Sequence, residues 1–131
     1  RRYSSAGHYR LTVIWEMSMD DKTTVQQLKQ EIEDFVNERD WAQFHSPKNL
    51  AMALAVEAAE LMDLFKWFTL EESREQIKET LRADVADELA DIMIYAMAFA
   101  NRHDLDIAAA VTEKMTKNRV KYPAEKFQGH F

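Results

Sequence analysis

Cysteine is absent from the 131-residue chain, and glycine and proline occur only twice each. Without cysteine there is no disulfide, zinc–thiolate site, iron–sulfur cluster or cysteine nucleophile. The glycines, Gly7 and Gly129, lie near the two ends, so His8 to Gln128 contains no glycine loop. That excludes the P-loop and the dinucleotide-binding fingerprint, which need glycine for close backbone approach to phosphate. Scarce glycine also argues against the many tight turns of sandwiches and barrels. Positive charge is in deficit, with a net charge of -6 and a pI near 5.2. This disfavours polymeric nucleic acid and anionic membranes as partners, although a divalent metal can invert the charge locally for a small anion. Long apolar runs are missing as well: the longest, Ile92 to Ala100, is too short to span a bilayer.

What remains is a chain of one domain's length, 47% hydrophobic and 31% charged, which is globular composition. The segment RRYSSAGHYRLTVIWE, before Met17 or Met19, lacks the apolar centre and cleavage site of a signal peptide. It reads as a leader or expression-vector extension over residues 1–20, with a single domain over 21–131 and a cytoplasmic location as the expectation. Apolar periodicity predicts four helices. The first runs from Thr24 to Glu38, with Val25, Leu28, Ile32 and Phe35 on one stripe. Arg39 to Ser46 is a connection carrying Trp41, Phe44 and His45. Ser46-Pro47 opens the second helix, serine as N-cap and proline in the first turn, and the helix is expected to reach Phe68. The polar stretch TLEESREQIKET then leads into a third helix ending near Arg102. Asp106 caps a fourth, which must end before Pro123. The fold class is all-α, a four-helix bundle.

The second and third helices carry acids where leucines belong. At 100° per residue, Glu57 falls inside the sector defined by Leu50, Leu54, Leu61 and Leu64, and Glu60 shares its face three residues on. In DELADIMIY the pattern returns: Glu88 and Asp91 are three apart, Tyr95 follows one turn later, and Leu89, Ile92, Met93 and Phe99 surround them. Acid pairs at this spacing are common on solvated faces, and one pair alone says little. Two pairs embedded in apolar stripes are harder to read as surface, because an unpaired carboxylate facing a core is strongly disfavoured. Four such carboxylates repel one another unless a cation sits among them. Mg²⁺, a hard ion with oxygen ligands, is the simplest choice, and Mn²⁺ a plausible substitute. A di-iron centre needs Glu-x-x-His pairs, and neither acid pair here has one.

The combination of E-x-x-E on one helix with E-x-x-D on the next resembles the all-α, MazG-like nucleotide pyrophosphohydrolases. The longer stretches RDWAQFHSPKNLAMALAVEAAELMDLFKW, DELADIMIYAMAFANRHDLD and KMTKNRVKYP resemble the dCTP pyrophosphatase branch of that family, from about Leu28 to Pro123. Many members open the first motif with a double glutamate. Val56 stands at the first of those positions here, as in that branch, which leaves the ligand set of a second metal open. The resemblance implies Mg²⁺-dependent hydrolysis of a nucleoside triphosphate, dCTP-like, to the monophosphate and pyrophosphate, as in housecleaning of nucleotide pools. It also implies Glu57, Glu60, Glu88 and Asp91 as metal ligands. Nothing in the spacing separates ligand from general base, for which Glu57 and Glu60 are the candidates; Asp84 is a candidate outer acid or simply a solvated charge. For the nucleotide, the resemblance implies contacts from Trp41, Phe44, His45, Trp67 and Tyr95, aromatic faces being suited to stacking on bases. Ile32 replaces a nucleotide-contacting histidine of the branch.

On the fourth helix Lys114, Asn118 and Lys121 share a sector with Ile107 and Val111, an arrangement suited to a triphosphate tail. Solvated lysines would look the same. Met52, Met62, Met93, Met97, Ile94 and Phe99 add apolar area beyond the acidic sector, which favours a homo-oligomer. The resemblance implies a dimer or a dimer of dimers with sites completed by a neighbouring chain. Two other readings stay open: the same chemistry on another pyrophosphate, such as phosphoribosyl-ATP, and a non-catalytic acidic helical oligomerisation module.

Overall fold

The computed structural model describes residues 18–131, and among these every regular element is helical. The expected extension over residues 1–20 therefore lies outside the described residues except for its last three. Its boundary falls inside a one-turn helix, α1 (Met19–Lys22), which Ser18 caps by accepting from the Asp20 N–H at 3.1 Å.

Helix α2 (Val25–Glu38) begins in a capping box: the Gln27 N–H donates to Thr24 Oγ1 while the Thr24 N–H donates to Gln27 Oε1. It ends where Asp40 takes a left-handed φ of 53°, a conformation aspartate tolerates better than most residues. The connection winds into a single 3₁₀ turn, Ala42–Phe44, which the Asn49 side chain ties to the next helix by donating to the Phe44 carbonyl at 2.9 Å. Helix α3 (Pro47–Asp63) starts at the expected Ser46-Pro47 signal. It stops short of Phe68, where sequence periodicity would have carried it. Residues 65 to 68 wind into tighter turns, with Phe65 N–H donating to Met62 O and Phe68 N–H to Phe65 O. Thr69 then opens a separate helix, α4 (Leu70–Gln76), through a second capping box with Glu72. The stretch expected as a plain connection is thus partly helical. Its T-x-x-E start signal was present but lacked an apolar stripe behind it.

Helix α5 (Arg82–Arg102) is the longest, and Asp104, again at positive φ, turns it into α6 (Ile107–Lys121), capped by Asp106 as expected. A last turn, α7 (Ala124–Phe127), follows Pro123. Helix α5 is the axis of the fold: α3 packs along it, and α2 packs on it more lightly. The fully buried residues are few: Val36 on α2, Leu50 on α3, and Met97, Ala98 and Ala100 on α5. At one end α2 is fastened to α5. The Asn101 amide donates to Lys29 O, Lys29 Nζ donates to Leu105 O, and Arg102 pairs with Glu33 in a half-buried salt bridge. Helix α6 buries no residue, and no comparable packing joins it to the other helices within the chain. The described chain is an all-α fold in which three long helices make the core and the fourth stands apart.

Candidate active site

Helices α3 and α5 bring the acids of both motifs together. One carboxylate oxygen from each of Glu57, Glu88 and Asp91 can lie within 4.8 Å of the other two, and all three side chains are half-buried. The cause is the pairing of two helices whose apolar stripes each contain an acid at the contact. Burial pushes the Glu88 carboxyl above its ordinary value of 4.5, and the charges of Glu60, Glu57 and Asp91, with a hydrogen bond involving Glu57, push it further. Glu88 Oε2 is shut off from solvent and has no hydrogen-bond partner. Glu60 is exposed and outside the trio, yet near enough for its charge to act on Glu88.

This donor set fits a hard divalent cation. It offers only carboxylate oxygens, one of them buried and unsatisfied, with no histidine or cysteine in the group. Glu57, Glu88 and Asp91 would hold the ion. Asp84, a turn before Glu88, is exposed and outside this group.

Between α2 and α5 runs a cleft of about 600 Å³, which none of the three acids lines. Its walls are mainly apolar, including Leu28, Ile32 and Phe35 from α2 and Met93, Ile94 and Met97 from α5. Trp41 and His45 stand in the same wall, Trp41 packed edge-on against Phe35 with ring centres 5.7 Å apart. Tyr95 also lines the cleft while sharing the helical face of Glu88 and Asp91, so it joins cleft to acids. An apolar cleft with a few polar groups, next to a charged cluster, is the usual form of a small-molecule site.

The remaining candidates lie elsewhere in the single chain. Phe44 is 59% exposed and is not among the cleft residues. Trp67, on the turn after α3, is 86% exposed, with Lys66 Nζ 5.5 Å from its ring centre. Lys114 and Lys121 are exposed and Asn118 half-buried on the unpacked α6, and none lines the cleft. Among the described residues α6 packs on no other helix as α2 and α3 pack on α5, so the inward-facing sector expected for these three is not buried within one chain.

Two acids of the cleft, Glu31 and Asp20, were not singled out from the sequence. For Glu31 the signal existed: it sits three residues after Leu28 and four before Phe35, an acid beside an apolar stripe, as Glu57 is on α3. It stands without a paired acid three residues away within the stripe, which makes the signal weaker than that of Glu57.

Comparison with known proteins agrees with this arrangement. The MazG-like family model matches residues 52–130. The chain is 39% identical over 119 residues to dCTP pyrophosphatase 1 of Bos taurus, covering 90% of this chain and 70% of that protein. To dCTP pyrophosphatase 1 of Homo sapiens it is 41% identical over 108 residues, covering 82% and 64% respectively. The chain thus spans roughly two thirds of the length of these curated relatives. A crystal structure of a pyrophosphatase from Archaeoglobus fulgidus superposes with a TM-score of 0.71 at 33% identity, over 75% of this chain and 91% of that one. With two acid motifs facing each other across α3 and α5, and a family match over more than half its length, the chain belongs to the MazG-like family.

Proposed function

We propose that this chain is a divalent-metal-dependent nucleoside triphosphate pyrophosphohydrolase that cleaves a deoxynucleoside triphosphate, dCTP-like, to the monophosphate and pyrophosphate. The observation that carries the reading is the meeting of Glu57, Glu88 and Asp91, one turn from Tyr95, which lines an aromatic and largely apolar cleft. Its likeness to dCTP pyrophosphatases supports the choice of substrate. Mg²⁺ is the cation the oxygen-only donor set favours, with Mn²⁺ able to replace it. When bound, such an ion supplies charge neutralisation for the triphosphate and makes an attacking water more acidic.

The chain's own residues do the rest. Glu57, Glu88 and Asp91 would hold the cation, one helical turn from Tyr95 of the cleft. Glu60, exposed and outside the trio, would take a proton from the water that attacks the α-phosphorus; Glu57 is the other candidate for that role. Trp41 and His45, which line the cleft, would offer ring faces and edges to the base, and Tyr95, which lines it too, would offer its hydroxyl to the sugar or phosphate. Lys114, Asn118, Lys121, Phe44 and Trp67 do not line the cleft, and a second copy of the chain would bring them to it, so the reading includes a homo-oligomer. A cytoplasmic role in clearing unwanted nucleotides follows as part of the same proposal.

The experiment is direct: incubate the protein with Mg²⁺ and a panel of nucleoside triphosphates, and resolve the products. Monophosphate with stoichiometric pyrophosphate is the expected result. Orthophosphate released directly, with no contaminating phosphatase, would remove the chain from this reaction class. No turnover of any nucleotide would leave a binding or oligomerisation module as the better reading.

A further inference from the structure

The last carbonyls of an α-helix find no partner within the helix, and at the end of α2 the three residues that follow supply the donors. Asp40, at a φ of 53°, turns the chain back on itself. Its N–H then donates to Asn37 O at 3.1 Å, and the Trp41 N–H donates to Val36 O at 3.0 Å. The Arg39 side chain takes a further carbonyl, Nη1 donating to Phe35 O at 3.0 Å. These bonds fix the direction in which Trp41 leaves the helix and bring its ring edge-on to that of Phe35.

Phe35 and Trp41 both line the cleft, yet both remain exposed, so burial alone does little to hold their rings. Over the Phe35 ring lies the Arg39 guanidinium, its carbon 3.6 Å from the ring centre. Arg39 thus grips Phe35 twice, on the ring and on the backbone, as a planar fork of donors can and an ammonium cannot. Its ion pair with Glu38, at 3.3 Å, is exposed and adds little. We propose that Arg39 is a positioning residue of the cleft: through Phe35 it holds the Trp41 ring in the pose that stacks on a ligand's ring. This rests on the reading of the cleft as a nucleotide site. Arg39 itself does not line the cleft, so its part is played through the two aromatics.

The test labels the full chain with fluorotryptophan and follows the Trp41 fluorine resonance, assigned by its loss in Trp41→Phe. In Arg39→Met and Arg39→Lys that resonance should move toward the position of the free amino acid, while that of Trp67, on the turn after α3, stays. With Mg²⁺ and dCTP, KM should rise about three- to tenfold in both variants and kcat should hold within about twofold, because a stacked base lies away from the reacting phosphorus. Glu38→Gln, which removes only the ion pair, should leave resonance and KM as in the wild type. Arg39 is exposed, so neither substitution opens a cavity, and thermal melting checks the fold. A Trp41 resonance that stays in place, an unchanged KM, a fall in kcat alone, or wild-type behaviour of Arg39→Lys would overturn the role. If no nucleotide is turned over, the hydrolase reading fails, and the resonance by itself decides whether Arg39 sets Trp41. If dCTP is hydrolysed with resonance and KM unmoved in the variants, Arg39 loses its role and the hydrolase reading stands.

Discussion

A carboxylate wedged among other carboxylates is stabilised by taking up a proton, and Glu88 is in that position. Its folded-state pKa lies above 4.5, so between that value and the raised one the folded chain holds a proton the unfolded chain has lost. The sign follows: in the metal-free protein Glu88 favours folding at low pH, and that contribution is lost as pH rises through the folded pKa. A bound cation replaces the missing proton. The gain in melting temperature on adding Mg²⁺ should therefore be negligible near pH 4.5 and grow as pH rises toward neutrality; a gain independent of pH would contradict a metal held by this cluster. Glu88→Gln should behave asymmetrically. It removes one repelling charge, so the metal-free protein at pH 7.5 should melt higher than wild type, while turnover falls by roughly a hundredfold or more for want of a ligand. Glu60→Gln keeps the side chain's shape and should also lower hydrolysis by orders of magnitude without disturbing the fold, since Glu60 is already exposed. Activity within a fewfold of wild type would remove Glu60 from the site.

At the scale of elements, the core is small and concentrated on one helix. Leu50, 1% exposed, is the most fully buried large side chain, on the helix that carries Glu57. Leu50→Ala should cost about 2–5 kcal/mol by lost burial and a residual cavity, read in urea denaturation, a large share of a domain's stability. The fastening of α2 to α5 is different in kind, being polar and half-buried: Arg102 with Glu33, Asn101 with Lys29 O. Removing one partner leaves the other poorly solvated. Arg102→Met should loosen α2, and since α2 forms one wall of the cleft, nucleotide KM should rise more than kcat falls. An unchanged KM would mean the wall is held by its apolar contacts alone.

For the whole molecule, the surface is what distinguishes it. Val111 is 57% exposed and Met115 44% on α6, while among the described residues only five apolar side chains are buried. Apolar area of this extent normally lies against another surface, and closed symmetry makes a second copy the simplest cover. Sedimentation across a dilution series should show a dimer or larger at micromolar concentration, and Val111→Asp with Met115→Asp should shift it toward monomer. If α6 carries Lys114 and Lys121 to a neighbour's triphosphate, activity should fall in parallel with assembly. A fully active monomer would refute that.

The sequence determined the elements and most of the chemistry. Helix starts at Thr24, Ser46 and Asp106 were legible because a cap is a local hydrogen bond, made within three residues of chain. The acids were legible because an i, i+3 pair within an apolar stripe needs only helical periodicity to be seen. The early stop of α3 was not, since nothing in the run from Leu64 to Phe68 breaks a helix; tight turns and a competing cap at Thr69 decide it. Nor was the membership of the site. Which acids meet depends on the register of α3 against α5, which draws Glu57, Glu88 and Asp91 together, with Glu60 exposed and outside that trio. The placement of α6 depends on what covers it. Its lysine and asparagine share one face by periodicity, but periodicity fixes only direction around an axis, and the packing that gives that direction a meaning comes from the tertiary structure.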